Sequence, residues 1–396
     1  MSDRSGHRRP ATRELGDERP KLAVICDFLE EGWASMDLVA DQLLSRLSTD
    51  HTSILEAVRI RAPFRQRVAR VPGLGARRQA FNADRLLNRL YDYPRYLARH
   101  ASTFDCFHIC DHSYAHVVHR LPGARTGVFC HDLDTFRSIL EPQREPRPRW
   151  FREMARHILS GMQRAAVVFH STSAVRAQIE RAGLIDSARL VQARYGISAS
   201  FQADSIELSA TVRALLERLN GSPFLLHVGS CIPRKRVDVL LEVFAGVRGL
   251  RPELKLLQIG GEWSAAQRAL IDRHRLQRAV VQVPRLSQEE IAQLYQRAAL
   301  VLMPSEAEGF GLPVIEALAC GAIVVASDIP VFREVGGPAV VFCPLADIQD
   351  WVTEVHALLG NAKNAPERAD RLSWAGQYSW DVHARVIASA YGRLGA

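Results

Sequence analysis

At 396 residues, 47% of them hydrophobic and 24% charged, the chain can bury two substantial cores, and about 100–200 residues per domain gives two domains. No apolar run reaches the roughly 18–20 residues that cross a bilayer, and Met1–Pro20 is polar with no apolar signal core. The expectation is a disordered tail on a cytoplasmic protein. The formal charge of +8, dominated by arginine, suits an anionic partner, but no zinc finger or RNA-binding strand motif accompanies it, so nucleic acid is not expected.

In chain order, Lys21–Asp27 reads as a strand and Ser35–Leu47 as an amphipathic helix. Strands are predicted at Ser53–Val58, Phe107–Cys110, Thr126–Cys130, Ala165–His170 and Ala188–Ala193, with helices at Asp84–His100, Trp150–Met162 and Ala174–Ala182. Between them, Arg59–Arg78 is basic and contains glycine and proline, which predicts a long loop. In the second half, strands are predicted at Phe224–Val228, Lys255–Ile259, Val280–Val283, Ala299–Met303, Ala322–Ala326 and Val340–Phe342. Helices are predicted at Val237–Val247 and at Ser287–Ala298, where Ser287 and Glu290 have capping-box spacing. Trp374–Leu394 has helical periodicity. The alternation predicts α/β domains with parallel sheets, one over 21–205 and one over 206–373, with a boundary near Phe201–Ser222 and a final helix over 374–396.

The seven cysteines are Cys26, Cys106, Cys110, Cys130, Cys231, Cys320 and Cys343. Their number is odd and no C-x-x-C occurs, so small buried thiols are expected rather than disulfides or a zinc knuckle.

The segment Met303–Gly321 carries the most chemistry. It reads as strand end, loop and helix, with Glu308 on the loop, Gly309, Phe310 and Gly311 after it, Leu312 and Pro313 opening the helix, and Glu316 in the first turn. Glycines let backbone approach a ligand, and a helix start offers N–H groups and positive partial charge to a diphosphate or sugar oxygens. The alternative is a helix-capping loop with two solvated glutamates.

Glu308 to Glu316 is similar to the E-x7-E signature of the retaining glycosyltransferase family 4. The surroundings also resemble that family: Pro304-Ser305, Glu308 to Pro313, Glu316 to Gly321, and upstream His227-Val228-Gly229 followed by Pro233-Arg234-Lys235. Ser327-Asp328-Ile329-Pro330 and Glu334 look like its following loop. The resemblance implies a GT-B architecture, two Rossmann-like domains facing across a cleft, whose last helix returns to the first domain. It implies that Arg234 and Lys235 bind the donor diphosphate and Glu316 the ribose hydroxyls. Glu308 would hold the transferred sugar, helped by the backbone N–H groups of Phe310 and Gly311, with Gly309 and Leu312 also counted on the donor-binding side. Ser230 stands where many relatives have arginine, and Val283-Pro284-Arg285 occupies the loop that touches the nucleobase. In the first half, His131 resembles the histidine facing the donor sugar, and Gly32, with Ser35 and Met36, the loop approaching the diphosphate. His131, Glu308, Lys235 and Arg234 are thus the implied catalytic set. Asn82, Asp84, Arg85 and Tyr93 are candidates for the acceptor side, against solvent exposure of a polar helix face.

Two lookalikes compete. Asp132-Leu133-Asp134 spells the D-x-D of metal-dependent sugar transferases, but Arg234 and Lys235 already supply the charge a cation would, so no metal is expected. His112 and His116 are four apart, a zinc-like helical spacing without a third ligand. Together these readings imply a metal-independent hexosyltransferase needing no cofactor, with a nucleotide-diphosphate sugar and an acceptor hydroxyl as substrates. The alternatives are a nucleotide-sugar epimerase of the same architecture and a non-catalytic nucleotide-sugar-binding protein. The basic first half suits a lipid-linked or phosphorylated acceptor at the inner membrane face, and is equally accounted for by solvated arginines.

Overall fold

The computed structural model describes residues 19–71, 78–204 and 207–395. The expected tail at 1–18, part of the basic loop at 72–77 and two boundary residues at 205–206 lie outside the described residues.

The chain forms two six-stranded parallel sheets. The first contains β1 (Lys21–Ile25), β2 (Glu56–Ile60), β3 (Cys106–Ile109), β4 (Thr126–Cys130), β5 (Val167–His170) and β6 (Leu190–Gln192), in the order β2-β1-β3-β4-β5-β6. The second contains β7 (Phe224–Val228), β8 (Lys255–Ile259), β9 (Val280–Val283), β10 (Leu300–Met303), β11 (Val324–Ser327) and β12 (Val341–Cys343), in the order β12-β11-β10-β7-β8-β9. The expected α/β class and parallel sheets are therefore present.

The strands are short and nearly all apolar because helices cover both faces. Along β1, Leu22 and Val24 enter one core while Ala23 and Ile25 enter another. Along β10, Val301 and Met303 face one core and Leu300 and Leu302 the other.

This strand order decides where a ligand can sit. In each sheet the chain leaves the first strand in one direction and later returns to build on its other side. The reversals fall between β1 and β3 and between β7 and β10. Connections diverge there, opening a crevice beyond the carboxyl ends of the strands.

Several boundaries differ from expectation. The helix predicted at Asp84–His100 begins at Arg78 and passes through a π-helical turn, Asn88–Asp92. Asp84 and Asn88 point into that helix's own foundation: the Asp84 carboxylate accepts from the backbone N–H of Arg67, Val68 and Ala69, and Asn88 from that of Arg65. Two unpredicted helices, Ala265–Arg273 and Ile348–Gly360, start at the caps Ser264 and Asp347. The single helix expected over Trp374–Leu394 is two, Arg368–Ala375 and Trp380–Gly395, parted at Gly376. Trp374 donates to Val335 O (2.8 Å) in the second half, whereas Tyr391 donates to Phe107 O (2.9 Å) in β3. All seven cysteines are free, six of them buried.

Candidate active site

The loops after β7 and β10 meet at the second sheet's reversal. After β7, Gly229 packs against Gly260, where a Cβ would lie 2.9 Å from Gly229 O; Gly260 has a φ of +101°, so both geometry and space call for glycine. A 3-10 turn, Pro233–Lys235, ends at Arg236 in the left-handed region (φ 47°), where Asp238 holds the guanidinium at 3.1 Å. That reversal carries Arg234 and Lys235 back toward β10.

There they converge on Glu308. Lys235 Nζ donates to Glu308 Oε1 (2.6 Å), and Arg234 donates to Glu308 Oε2 (3.0 Å) and Ala307 O (3.1 Å). Glu308 is buried, which by itself would raise its pKa, but the two cations outweigh burial and hold it below the ordinary value. Arg234 Nε also lies 3.2 Å from Asp134 Oδ2 of the first half.

Past Glu308 the backbone runs against the first half. A Cβ on Gly309 would lie 2.2 Å from His131 O, and the Ser171 and Thr172 hydroxyls donate to Gly309 O at 3.2 Å. Phe310 is buried 4.9 Å from the Tyr195 ring. Gly311 (φ 90°) precedes helix Leu312–Ala319, which has no side-chain cap, leaving its start available to an anion. Pro313 is in the first turn, but Glu316 opens the second turn, not the first as the spacing suggested. Burial alone pushes the Glu316 carboxyl up to about 8.

His227, on β7, is fully buried beneath this loop with no hydrogen-bond partner on either ring nitrogen. Burial, then the Lys235 charge, push it down to about 3, so it is neutral. Ser230 is half-buried on the same loop. Arg285 is exposed after β9 and makes no ion pair among the described residues.

The first sheet's reversal holds Asp27, after β1, and Asp111, after β3. Burial, reinforced by Asp111, raises Asp27 well above the carboxylate range. Asp111 goes the other way, to about 2: burial opposes ionisation, but His112, His131 and the Ser113 N–H (2.8 Å) and hydroxyl (2.6 Å) prevail.

His131 follows β4. Its ring is buried, with Nε2–H donating to Cys110 O (2.7 Å) and Nδ1 accepting from the Tyr195 hydroxyl. Both nitrogens are thus engaged within the protein, and its backbone carbonyl is what meets Gly309. Gly32 (φ 70°) is exposed at the end of a 3-10 turn. Of the helix-face candidates, Asn82 is exposed, Asp84 and Tyr93 are structural, and Arg85 lines a cavity with Ser35 and Met36. His112 and His116 lie on a 3-10 helix, His112–Arg120, where residues four apart face different ways, so the zinc-like spacing is not realised.

Sequence reasoning named Glu334 and Asp134 but missed that they join the halves. Glu334 accepts from the backbone N–H groups of Ser173 (2.8 Å) and Ala174 (3.1 Å), at the start of helix Ser173–Arg181. Asp134 was weighed only as a metal ligand. Neither role has a local signal, because each partner is more than 90 residues away.

Residues 211–377 match the family model described as glycosyl transferases group 1. The chain is 31% identical over 200 residues to a D-inositol 3-phosphate glycosyltransferase of Segniliparus rotundus, covering 46% of this chain and 42% of that protein. It is 25% identical over 285 residues to O-antigen chain mannosyltransferase B of Escherichia coli, covering 70% and 72%. The match thus spans less than half the length of the first of these relatives. Among solved structures, a sucrose-phosphate synthase of Thermosynechococcus elongatus superposes with a TM-score of 0.73 at 18% identity, over 95% of this chain and 99% of that one. Anabaena HepE, in complex with UDP and glucose, superposes with a TM-score of 0.68 at 16% identity, over 94% and 99%. At such identities the likeness establishes the fold, which is GT-B.

Proposed function

We propose that the chain is a group 1 glycosyltransferase, the family whose model residues 211–377 match, and that it transfers a hexose from a nucleotide-diphosphate sugar to an acceptor hydroxyl, with retention and without a metal. The observation that carries this reading is the convergence of Arg234 and Lys235 on the buried carboxylate of Glu308, beside an uncapped helix start.

The donor diphosphate would take Arg234 and Lys235 as its counter-charges, leaving Glu308 to accept hydrogen bonds from the sugar. When the anomeric C–O bond to phosphate breaks, negative charge grows on the leaving oxygen. The two cations and the backbone N–H of Leu312 stabilise it, in place of a divalent ion. The acceptor oxygen forms the new bond from the same face, and its proton passes to the departing phosphate, so no protein base is required. The engaged ring of His131 supports assigning it a positioning role, through its carbonyl contact with Gly309.

The test is a panel of UDP-, GDP- and ADP-hexoses with a chelator present. UDP-sugars come first, since HepE was solved with UDP and glucose. One donor is expected to release its nucleotide diphosphate slowly. Conversion into a different nucleotide sugar without release would overturn the proposal in favour of an epimerase.

A further inference from the structure

Three strands of the second sheet carry a polar row where apolar side chains would pack. His227 of β7 is in register with Gln258 of β8, and Gln258 with Gln282 of β9, so the three stand side by side on one face. His227 and Gln258 are fully buried and Gln282 is half-buried. Helices cover this sheet on both sides, so burial alone would be better met by Leu or Val.

The Gln258 amide uses all of its hydrogen-bonding groups. Nε2 donates to Gly229 O (2.8 Å) and Gly260 O (2.6 Å), just beyond the ends of β7 and β8, and Oε1 accepts from Gln282 Nε2 (2.7 Å). The backbone ladder stops at these glycines, whose N–H groups donate to Ile259 O (2.8 Å) and Val283 O (3.0 Å). Their carbonyls lie past the strand ends and take a donor from the side chain instead. Gln282 extends the connection: Oε1 accepts from Trp263 N–H (3.3 Å), and Nε2 also approaches Cys231 Sγ (3.6 Å). Gln267, in helix Ala265–Arg273, donates to Cys231 O (3.2 Å).

What this network holds is the turn that carries Arg234 and Lys235. Gly229 is packed on both sides: a Cβ there would lie 3.1 Å from the His227 ring and 3.8 Å from Lys235 Cδ. A Cβ on Gly261 would lie 2.9 Å from Cys231 N, so the loops after β7 and β8 touch backbone to backbone. A shift of Gly229 is therefore passed to the Lys235 stem. A buried polar network with every group satisfied imposes one geometry, and a misplacement of about 1 Å in a binding group is costly.

We infer that Gln258 and Gln282 are positioning residues for the donor, an amide relay that fixes the Gly229–Lys235 turn to the ends of β8 and β9 and so sets Lys235 for the diphosphate. The inference rests on the donor reading of the Arg234, Lys235 and Glu308 cluster. Neither glutamine touches the donor itself; both act through the turn.

The probes are UDP, GDP and ADP, titrated calorimetrically into the full chain, with uridine, guanosine and adenosine measured by displacement. The wild type is expected to bind one nucleoside diphosphate. Gln258→Leu is expected to weaken that ligand about tenfold, by leaving two carbonyls unmet and freeing the turn, and the matching nucleoside less than about twofold. Because the loss runs through Lys235, Gln258→Leu in a Lys235→Ala background is expected to cost less than about twofold. The same loss in both backgrounds, or equal losses for nucleoside and nucleoside diphosphate, would overturn the inference. Gln282→Leu, at a half-buried position, is expected to give the same pattern at about fivefold, and it decides the matter if Gln258→Leu does not fold. No binding of any nucleoside diphosphate by the wild type overturns the donor reading and this inference together. Wild-type binding with additive losses overturns this inference alone.

Discussion

Arg234 of the second half lies 3.2 Å from Asp134 of the first, so one guanidinium ties together the two sides of the cleft while also holding Glu308. On the proposed donor reading, Asp134 competes with an arriving diphosphate for Arg234. Asp134→Asn is expected to tighten donor binding a few-fold and, because the pair is partly exposed, to change stability by less than about 1 kcal/mol. Donor titration and thermal melts check both. Complete loss of turnover, restored by added manganese, would instead assign the Asp132–Asp134 pair to a metal.

Lys235 makes the shorter of the two contacts to Glu308 and is implied to meet the leaving phosphate. Lys235→Ala is expected to lower kcat by about 10²–10³-fold, the typical effect of deleting one preorganised donor to a developing charge. The fold should survive, since Arg234 still pairs with Glu308. Steady-state kinetics beside a melting curve give the comparison, and near-normal kcat would remove Lys235 from the mechanism.

Gly309 has no room for a side chain: a Cβ would fall 2.2 Å from the carbonyl oxygen of His131. Gly309→Ala should push the two halves apart, costing about 1–3 kcal/mol and most of the turnover. A variant with wild-type melting and wild-type kinetics would contradict the close approach.

Glu316 gives a pH signature. Its carboxyl sits at about 8 in the fold against an ordinary 4.5, so the folded state keeps a proton that the unfolded chain has already released. Stability is therefore lost as pH rises from about 4.5 to about 8 and changes no further above that, by a few kcal/mol in total. Glu316→Gln has no such proton. Its melting temperature relative to wild type should climb across this window; a constant difference would show that Glu316 is not raised.

The loop and helix start of the candidate site were legible because they are contiguous: Glu308 to Glu316 spans one loop and one helix start, each with its own local signal. The sheets were legible because strands buried on both faces are nearly all apolar, as in Leu300–Met303. What failed to show were contacts made by folding itself. Asp84 reads as a polar helix residue, yet three backbone N–H groups of a preceding loop bury it. His131 reads as a ring facing the donor sugar, yet Cys110 and Tyr195 take both of its nitrogens. The break at Gly376 was written in a glycine, but the periodicity on either side concealed it.

The central claim is that the Arg234, Lys235 and Glu308 cluster is the donor site. It is tested most directly by nucleotide diphosphate release from the hexose donor panel, in chelator, for the wild type and for Glu308→Ala. The account predicts release from one donor by the wild type and at least a hundredfold slower release by the variant. Equal release by both would contradict it, because the carboxylate on which the two cations converge would then have no part in holding the sugar.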